Sequence, residues 1–386
     1  MRPLTSVGMA ILGSGVIAIT YGLARFVFGL FLPAMRDEMT IRPTMAGIIG
    51  ALPFLSFVIA IIAAPAITRF LGVRQTAVAA ITLAMIGLIM IALAPSSPIL
   101  AGGVLICGLS TGISSPVMAE AVYRIVPDSL RGRVNAITNA GTSVGIAFAM
   151  PAVLIWAEAW RSAYIGFAVL AALGAMSALY YLPAEQRDVE QPQRRAALSS
   201  VAREQWFSMA RLSGLAALTG ITSAAYWVFA PDAVMTGGGM ASSQAAWMWL
   251  AVGIGGLAGG SVGDLITRFG AVATHAGGLV VIATALALLA LDTSNFPLAL
   301  LSATLFGAGY MTLTGFYLVR GTEIMLDTPS LGPVPPLLAT SIGQIMGSPL
   351  AGWLVGSQGY NATFTMFAAL GLGVSALGIW LLHRYA

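Results

Sequence analysis

The residue best suited to chemistry is Arg25, a cation inside the first long apolar stretch of the chain. A charge near the middle of a membrane costs roughly 2.5–3.5 kcal/mol on insertion scales, so it is expected to face a cavity or a partner. Tyr21, Arg25 and Phe28 share one helical face by their i, i+4, i+7 spacing. Because a guanidinium binds two carboxylate or phosphate oxygens in parallel, this face predicts an anion site. The alternative is that Arg25 pairs with an internal acid, or extends to the membrane surface, and only holds helices together.

Two acids are candidate proton carriers. Asp232 follows Pro231 toward the outer end of the seventh apolar stretch, and Glu120 lies near the cytoplasmic end of the fourth. An embedded Asp232 would carry protons, whereas an interfacial Asp232 would be an ordinary exposed acid. A direct pair between Arg25 and Asp232 would form a charge-based outer gate.

Other polar and aromatic residues complete the predicted site. The uncharged or aromatic candidates for substrate contact are Asn139, Tyr226, Trp227, Tyr310, Thr314 and Gln344. The charged candidates for a cytoplasmic gate are Arg69, Glu120, Arg124, Arg131, Asp264, Arg268, Arg320 and Glu323. The alternative for the first set is helix–helix hydrogen bonding. For the second set it is solvated helix ends, where exposed pairs contribute little.

Composition predicts the elements that must position these side chains. Hydrophobic residues make up 58% of the 386 residues, charged residues only 8%, and the mean hydropathy is +0.90. A membrane-spanning helix needs about 20 mostly apolar residues. We therefore predict an all-α membrane protein with twelve spanning stretches. They are expected at 7–33, 45–67, 75–94, 98–123, 133–156, 161–182, 209–235, 244–266, 272–291, 297–319, 334–356 and 362–382.

The chain repeats itself at half its length. Ile67-Thr68-Arg69-Phe70 recurs as Ile266-Thr267-Arg268-Phe269, 199 positions later, and the break at Pro98 recurs at Pro297. Duplicated membrane proteins with a central site are mostly transporters. The repeat predicts an N-terminal six-helix bundle over 1–182, a polar cytoplasmic linker over 183–206 and a C-terminal six-helix bundle over 207–386.

Charge placement predicts the orientation and excludes several functions. All 18 basic residues are arginine, and most lie in alternate connections, which places both termini in the cytoplasm of a multi-pass inner-membrane protein. The arginines form no continuous basic face, so nucleic-acid binding is not expected. Without lysine there is no nucleotide-binding G-x-x-x-x-G-K-[ST] loop. One cysteine and two unclustered histidines predict no metal site, and no cofactor is expected.

The basic 2–3 loop, repeated between helices 8 and 9, resembles that of the major facilitator superfamily. The superfamily pattern is roughly G-x-x-x-D-R-x-G-R-R; here Gly263, Arg268 and Gly270 match, while Thr267 replaces the aspartate. The segment "PDSLRGRVNAI" looks like the family's loop between helices 4 and 5. The segment "GQIMGSPLAG" is similar to its antiporter motif but lies in helix 11 instead of helix 5. "YGLARFVFGLFLP" looks like the first helix of a bacterial uncharacterised or efflux-type branch.

The resemblance implies a secondary transporter that works by alternating access. We expect a proton-coupled monomer surrounded by lipid that moves a small organic molecule, anionic or zwitterionic because of Arg25. One alternative is a proton-driven efflux antiporter for lipophilic cations. Another is a non-transporting sensor or scaffold with the same fold. An enzyme is not expected, because no nucleophile–base pair or metal cluster lies within the apolar stretches.

Overall fold

The computed structural model describes residues 4–156, 159–184, 203–325 and 332–383. In these ranges the regular structure is helical, and ten helices are long and apolar enough to cross a membrane. They are α1 Ser6–Met39, α2 Pro43–Leu71, α3 Val73–Ala92, α4 Ser97–Ile125, α5 Asp128–Trp156, α6 Trp160–Tyr181, α7 Arg203–Gly237, α8 Ser242–Leu291, α9 Phe296–Ile324 and α10 Val334–His383.

The helices α8 and α10 each contain 50 residues and cover two of the predicted stretches. Each is interrupted by one glycine with non-helical backbone angles, Gly270 in α8 and Gly359 in α10. We name the parts of these helices before and after the glycine the first and second arms. The prediction separated these arms into distinct helices, whereas the structure continues the helix up to and directly after a single residue.

The same glycine turn occurs at three places. Gly72, Gly270 and Gly359 have φ of 79°, 82° and 82°, a region that only glycine enters without strain. At each place the threonine four residues later donates its hydroxyl to the glycine carbonyl, at 2.8, 2.8 and 2.7 Å. Gly72 and Gly270 lie 198 positions apart, so this turn belongs to the internal repeat.

The first helix contains an irregular segment at the position of the predicted site. Residues Ala18–Phe26 form a π-helix between the α-helical parts Ser6–Ile17 and Phe28–Met39. Hydrogen bonds in a π-helix run from residue i to i+5, and such segments are frequent at functional sites. The wider turn changes which side chains share a face, and Arg25 lies within it.

The predicted linker is only partly described. The helix α7 begins at Arg203, inside the stretch predicted as linker, while residues 185–202 lie outside the described ranges. We call the end of the bundle where α6 ends at Tyr181 and α7 begins at Arg203 the linker end. We call the opposite end, where α7 carries Asp232, the Asp232 end.

The two halves, α1–α6 and α7–α10, meet closely between the middle of the bundle and the Asp232 end. A Cβ atom at Gly29 would collide with the backbone carbonyl oxygen of Trp227, and one at Gly47 would collide with that of Ser348. A Cβ at Gly253 would lie 2.8 Å from the carbonyl oxygen of Ser143. Glycine at these positions lets backbones of opposite halves touch, as small residues do between membrane helices.

Candidate functional site

Arg25 lies in a cage of aromatic rings near the meeting plane of the two halves. Its Cζ atom is 4.4 Å from the ring centroids of Phe54 and Phe57 on α2, 5.2 Å from Phe26 and 5.6 Å from Tyr21. The residue is 6% exposed. A guanidinium within about 6 Å of a ring face is attracted by the ring quadrupole, and the attraction grows when water is excluded. The cage therefore offsets part of the cost of burying this charge.

No carboxylate among the described residues forms an ion pair with Arg25, and its Nε atom has no hydrogen-bond partner. Asp232 pairs instead with Arg36, and this pair excludes the gate that the sequence left open between Arg25 and Asp232. Arg36 follows Arg25 by eleven residues, which corresponds to about 16 Å along a helix. A buried guanidinium without a counterion is costly, so Arg25 is poised to bind an anion.

The C-terminal half supplies a polar wall opposite the cage. Tyr310 on α9 lies near enough to Arg25 to interact with it electrostatically. The Nε2 atom of Gln344 on α10 donates to the Tyr310 hydroxyl at 3.1 Å and to the Ser223 hydroxyl at 3.4 Å. The Oε1 atom of Gln344 and the Oγ atom of Ser348 are buried without a partner. Buried polar atoms usually have partners, so these free atoms mark a place where a ligand can bind.

Two indole rings extend this wall. The Trp227 ring is 4.3 Å from the Phe26 ring of the other half, 5.1 Å from the Tyr310 ring and 5.9 Å from the Trp249 ring, measured between centroids. Both indole Nε1 atoms are buried; that of Trp249 has no hydrogen-bond partner, and that of Trp227 lies beside the Tyr310 hydroxyl without a well-aligned hydrogen bond. Trp249, in the first arm of α8, is fully buried. The wall thus combines apolar faces with unused N–H donors.

A second polar cluster, which we call the latch, joins the halves at the Asp232 end. Asp232 is 0% exposed and accepts hydrogen bonds from Arg36 of α1, from the Tyr360 hydroxyl at 2.7 Å and from the Thr236 hydroxyl at 3.1 Å. Arg36 also donates to the Tyr360 hydroxyl at 3.0 Å and, through Nε, to the carbonyl of Ile41 at 3.1 Å. Asp232 is therefore an embedded acid, and its partner is supplied by the opposite half.

The structure brings together five of the nine predicted substrate residues: Tyr21, Arg25, Trp227, Tyr310 and Gln344. Two of the other four, Phe28 and Tyr226, lie elsewhere. Phe28 is buried but is not among the rings around Arg25, because the π-helix shifts the face on which the i+7 position lies. Tyr226 is buried within the C-terminal half, stacked on Phe306 at 3.9 Å and bonded to Ser302 at 3.0 Å.

Thr314, one turn after Tyr310, is half-buried and its side chain lies beside that of Tyr310, whereas the role of Asn139 stays a prediction. Asn139 on α5 is exposed, one turn toward the linker end from Ser143. The hydroxyl of Thr314 donates to the carbonyl of Tyr310 in its own helix at 2.9 Å. Sequence reasoning missed Phe26, Phe54 and Phe57, although the Pro53-Phe-Leu-Ser-Phe57 pattern places two rings one turn apart on α2.

The predicted gate residues form local pairs at the linker end. Glu120 and Arg124 pair at 2.7 Å within α4, and Arg320 pairs with Glu323 at 2.5 Å within α9. Arg131 pairs with Asp128 of its own helix at 2.6 Å. Arg69, Asp264 and Arg268 have exposed side chains. These three ion pairs are partly exposed and each stays within one helix, so they do not tie the two halves together.

Within the described ranges no group of three histidine, cysteine, aspartate or glutamate residues could hold a metal ion. The geometry therefore offers a lone cation in an aromatic cage, free donors and acceptors from the opposite half, and an ion-paired latch at one end. Such an arrangement can bind an anion between two halves that are joined at one end.

Comparison with known proteins shows the family and the fold. A family model described as Major Facilitator Superfamily matches residues 15–325. A comparison with curated proteins found no match. A solved structure of a variant of the nucleoside transporter NupG is similar, with a TM-score of 0.81 and 14% identity over 97% of this chain and 99% of that one. The solved structure of a D-xylose–proton symporter is also similar, with a TM-score of 0.77 and 16% identity over 97% of each chain. The structure of the human organic anion transporter MFSD10 (TETRAN) has a TM-score of 0.65 and 16% identity, over 96% of this chain and 99% of that one.

Proposed function

Because the chain belongs to the major facilitator superfamily, we propose that it is a secondary active transporter that moves a small anionic or zwitterionic organic molecule by alternating access. Its family supports a membrane transporter rather than an enzyme. The observation that carries the proposal is Arg25, a buried cation that forms no ion pair with the acids the structure describes and lies where the two halves meet.

We assign twelve membrane crossings to the ten helices. A straight helix of 50 residues would be about 75 Å long, more than twice the roughly 30 Å of a bilayer core. The breaks at Gly270 and Gly359 divide α8 and α10 into arms that can each cross once. This gives two halves of six crossings. The arginine distribution supports an inner-membrane protein with both termini and the linker end in the cytoplasm.

Alternating access requires the halves to separate at one end while they close at the other. At the Asp232 end the latch and the glycine contacts hold them together, so this conformation is closed toward the outside. The anion would reach Arg25 from the cytoplasmic side in this state. Opening to the outside requires that Arg36 and Asp232 separate.

We propose that protons couple to transport at Asp232, with Glu120 as the second candidate. A proton on Asp232 removes the charge that holds Arg36, which weakens the latch and favours the outward-open state. Glu120 is partly exposed and paired within its own helix, so its protonation would have less effect on the contact between the halves. The neighbouring D-xylose symporter is a proton-coupled protein by name, which is consistent with this coupling.

Flux in proteoliposomes tests the proposal. We expect a pH gradient to drive accumulation of at least one labelled probe among benzoate, phenylacetate and phenylalanine. Arg25→Ala should abolish that accumulation, because it removes the guanidinium that would bind the anion. Arg42→Ala, which changes an exposed arginine of the same half, is the control and should leave flux intact.

Three other results would contradict parts of this proposal. Gradient-driven flux that survives Arg25→Ala would move the site elsewhere. Failure to accumulate any probe, with intact folded protein, would favour a sensor or scaffold. Accumulation of lipophilic cations would favour the efflux antiporter, which the positive charge of Arg25 disfavours.

A further inference from the structure

We infer that the substrate is an organic monocarboxylate with an aromatic or apolar body and no cationic group. The inference rests on the proposed function and narrows its substrate class, since the proposal admits zwitterions and anions alike. It depends on the charges, rings and unpaired atoms around Arg25.

The charge balance of the site admits one negative charge. Among the described residues, Arg25 is the only charged side chain in the cage and the wall, and Asp232 is already neutralised by Arg36 in the latch. The other acids of the chain lie at helix ends or in connections by their sequence positions. One carboxylate neutralises Arg25. A dianion would leave one buried charge unbalanced, which is costly where water is excluded.

A zwitterion would bring an ammonium group that finds no acid. The ring faces that could attract it are occupied, because Tyr21, Phe54 and Phe57 already surround the guanidinium. Two cations in one cage would repel each other across a short distance of low dielectric. The site therefore selects against amino acids and against lipophilic cations for the same physical reason.

The wall defines the rest of the molecule. The rings of Phe26 and Trp227, whose centroids are 4.3 Å apart across the halves, place apolar surface beside the guanidinium. The Nε1 of Trp227, which makes no well-aligned hydrogen bond to the adjacent Tyr310 hydroxyl, can donate to a second carboxylate oxygen or to one further acceptor. The unpartnered Oε1 of Gln344 can accept from one hydroxyl or amide group. A planar ring with one carboxylate and at most one further neutral polar group satisfies these atoms.

A series of compounds that differ only in charge tests the inference. For each of three bodies, phenyl, indolyl and cyclohexyl, four compounds are compared: the acetate, the acetamide, the α-amino acid and the malonate. Purified protein in nanodiscs is titrated with each compound, and binding is followed by calorimetry and by tryptophan fluorescence, which reports on Trp227 and Trp249. We expect at least one acetate to bind about 10- to 100-fold more tightly than its acetamide, amino acid or malonate, as a charge-assisted hydrogen bond implies.

Variants show whether Arg25 causes the selection. In Arg25→Met the preference for the acetate over the acetamide should vanish or reverse, because the site becomes a neutral aromatic pocket. Arg42→Met should keep the wild-type preference, since Arg42 is exposed and outside the cage. If Arg25→Met does not fold, Arg25→Lys is the second variant. Lysine keeps the positive charge but lacks the planar guanidinium that binds two oxygens at once, so Arg25→Lys should retain the order of preference with weaker binding.

Several results would overturn the inference. They are equal or tighter binding of the acetamide, amino acid or malonate, no binding of any acetate, or an unchanged preference in Arg25→Met. Flux separates this failure from failure of the proposed function. Transport of a neutral or zwitterionic probe would refute the inferred ligand class but support the proposed transport function. Arg25-dependent acetate binding without any flux would support the inferred ligand class and refute the proposed transport function.

Discussion

The latch at the Asp232 end makes a quantitative prediction about conformational equilibrium. Asp232→Asn keeps the size of the side chain and an oxygen that can accept from Tyr360, but it removes the charge opposite Arg36. Removal of one partner from a buried ion pair costs about 3–5 kcal/mol. Because the Arg36 side chain is 17% exposed and can be partly solvated, we take the lower limit, about 3 kcal/mol. At 1.4 kcal/mol per tenfold, the outward-open state should gain about a hundredfold in population relative to the closed state.

A cysteine placed in the closed interface measures this shift. Ser348 is fully buried, and its backbone carbonyl meets Gly47 of the other half, so Ser348→Cys should react with a membrane-impermeant maleimide only when the Asp232 end opens. The chain has one native cysteine, Cys107, which is buried and serves as the unreactive background. The labelling rate in the Asp232→Asn background should rise up to a hundredfold, until the open state dominates.

Two further variants control the experiment. Glu38→Gln breaks an ion pair of 2.8 Å with Arg161 that lies within the N-terminal half and is partly exposed, so it should change the rate less than about fivefold. Tyr360→Phe removes one hydroxyl from the latch and should have an intermediate effect, since a hydrogen bond to a charged group contributes about 1.5–3 kcal/mol. An unchanged rate in Asp232→Asn, or an equal rise in Glu38→Gln, would refute the latch.

Two other predictions concern packing. Gly29→Ala places a methyl group against a backbone carbonyl of the opposite half, whereas Gly15→Ala on the same helix meets open space. Gly29→Ala should therefore destabilise the protein by about 1–3 kcal/mol through overpacking and lower its apparent Tm, whereas Gly15→Ala should leave the Tm unchanged. Equal Tm values for the two variants would contradict the close approach of the halves at Gly29. Tyr317→Phe removes the hydroxyl that bonds His275 at 3.0 Å and Thr219 at 2.6 Å, and should cost about 1–3 kcal/mol in thermal unfolding. The flux of an accepted probe should persist, because these residues lie inside the C-terminal half; its loss would assign them a transport role.

The sequence determines the features that depend on neighbouring residues in the chain. The class of protein, the helical stretches and the internal repeat follow from the sequence, since a run of about 20 apolar residues has few alternatives to a spanning helix. The sequence also singled out Arg25, because a charge in such a run is costly enough to require a reason. The turns at Gly72 and Gly270 could have been found from their repeated G-x-x-x-T pattern.

The tertiary structure decided which groups meet. Asp232 lies 196 positions from Arg36 and 128 from Tyr360, and no local pattern predicts that these three form the latch. Two of the four rings around Arg25 come from α2, and the π-helix in α1 removes Phe28 from the face that regular helical spacing predicts. The hydrophobic pattern of a sequence predicts each helix separately. Contacts between helices depend in addition on small residues such as Gly29 and Gly47, which let the two halves approach. For that reason the sequence located the charge, and only the packing of the halves determined its surroundings.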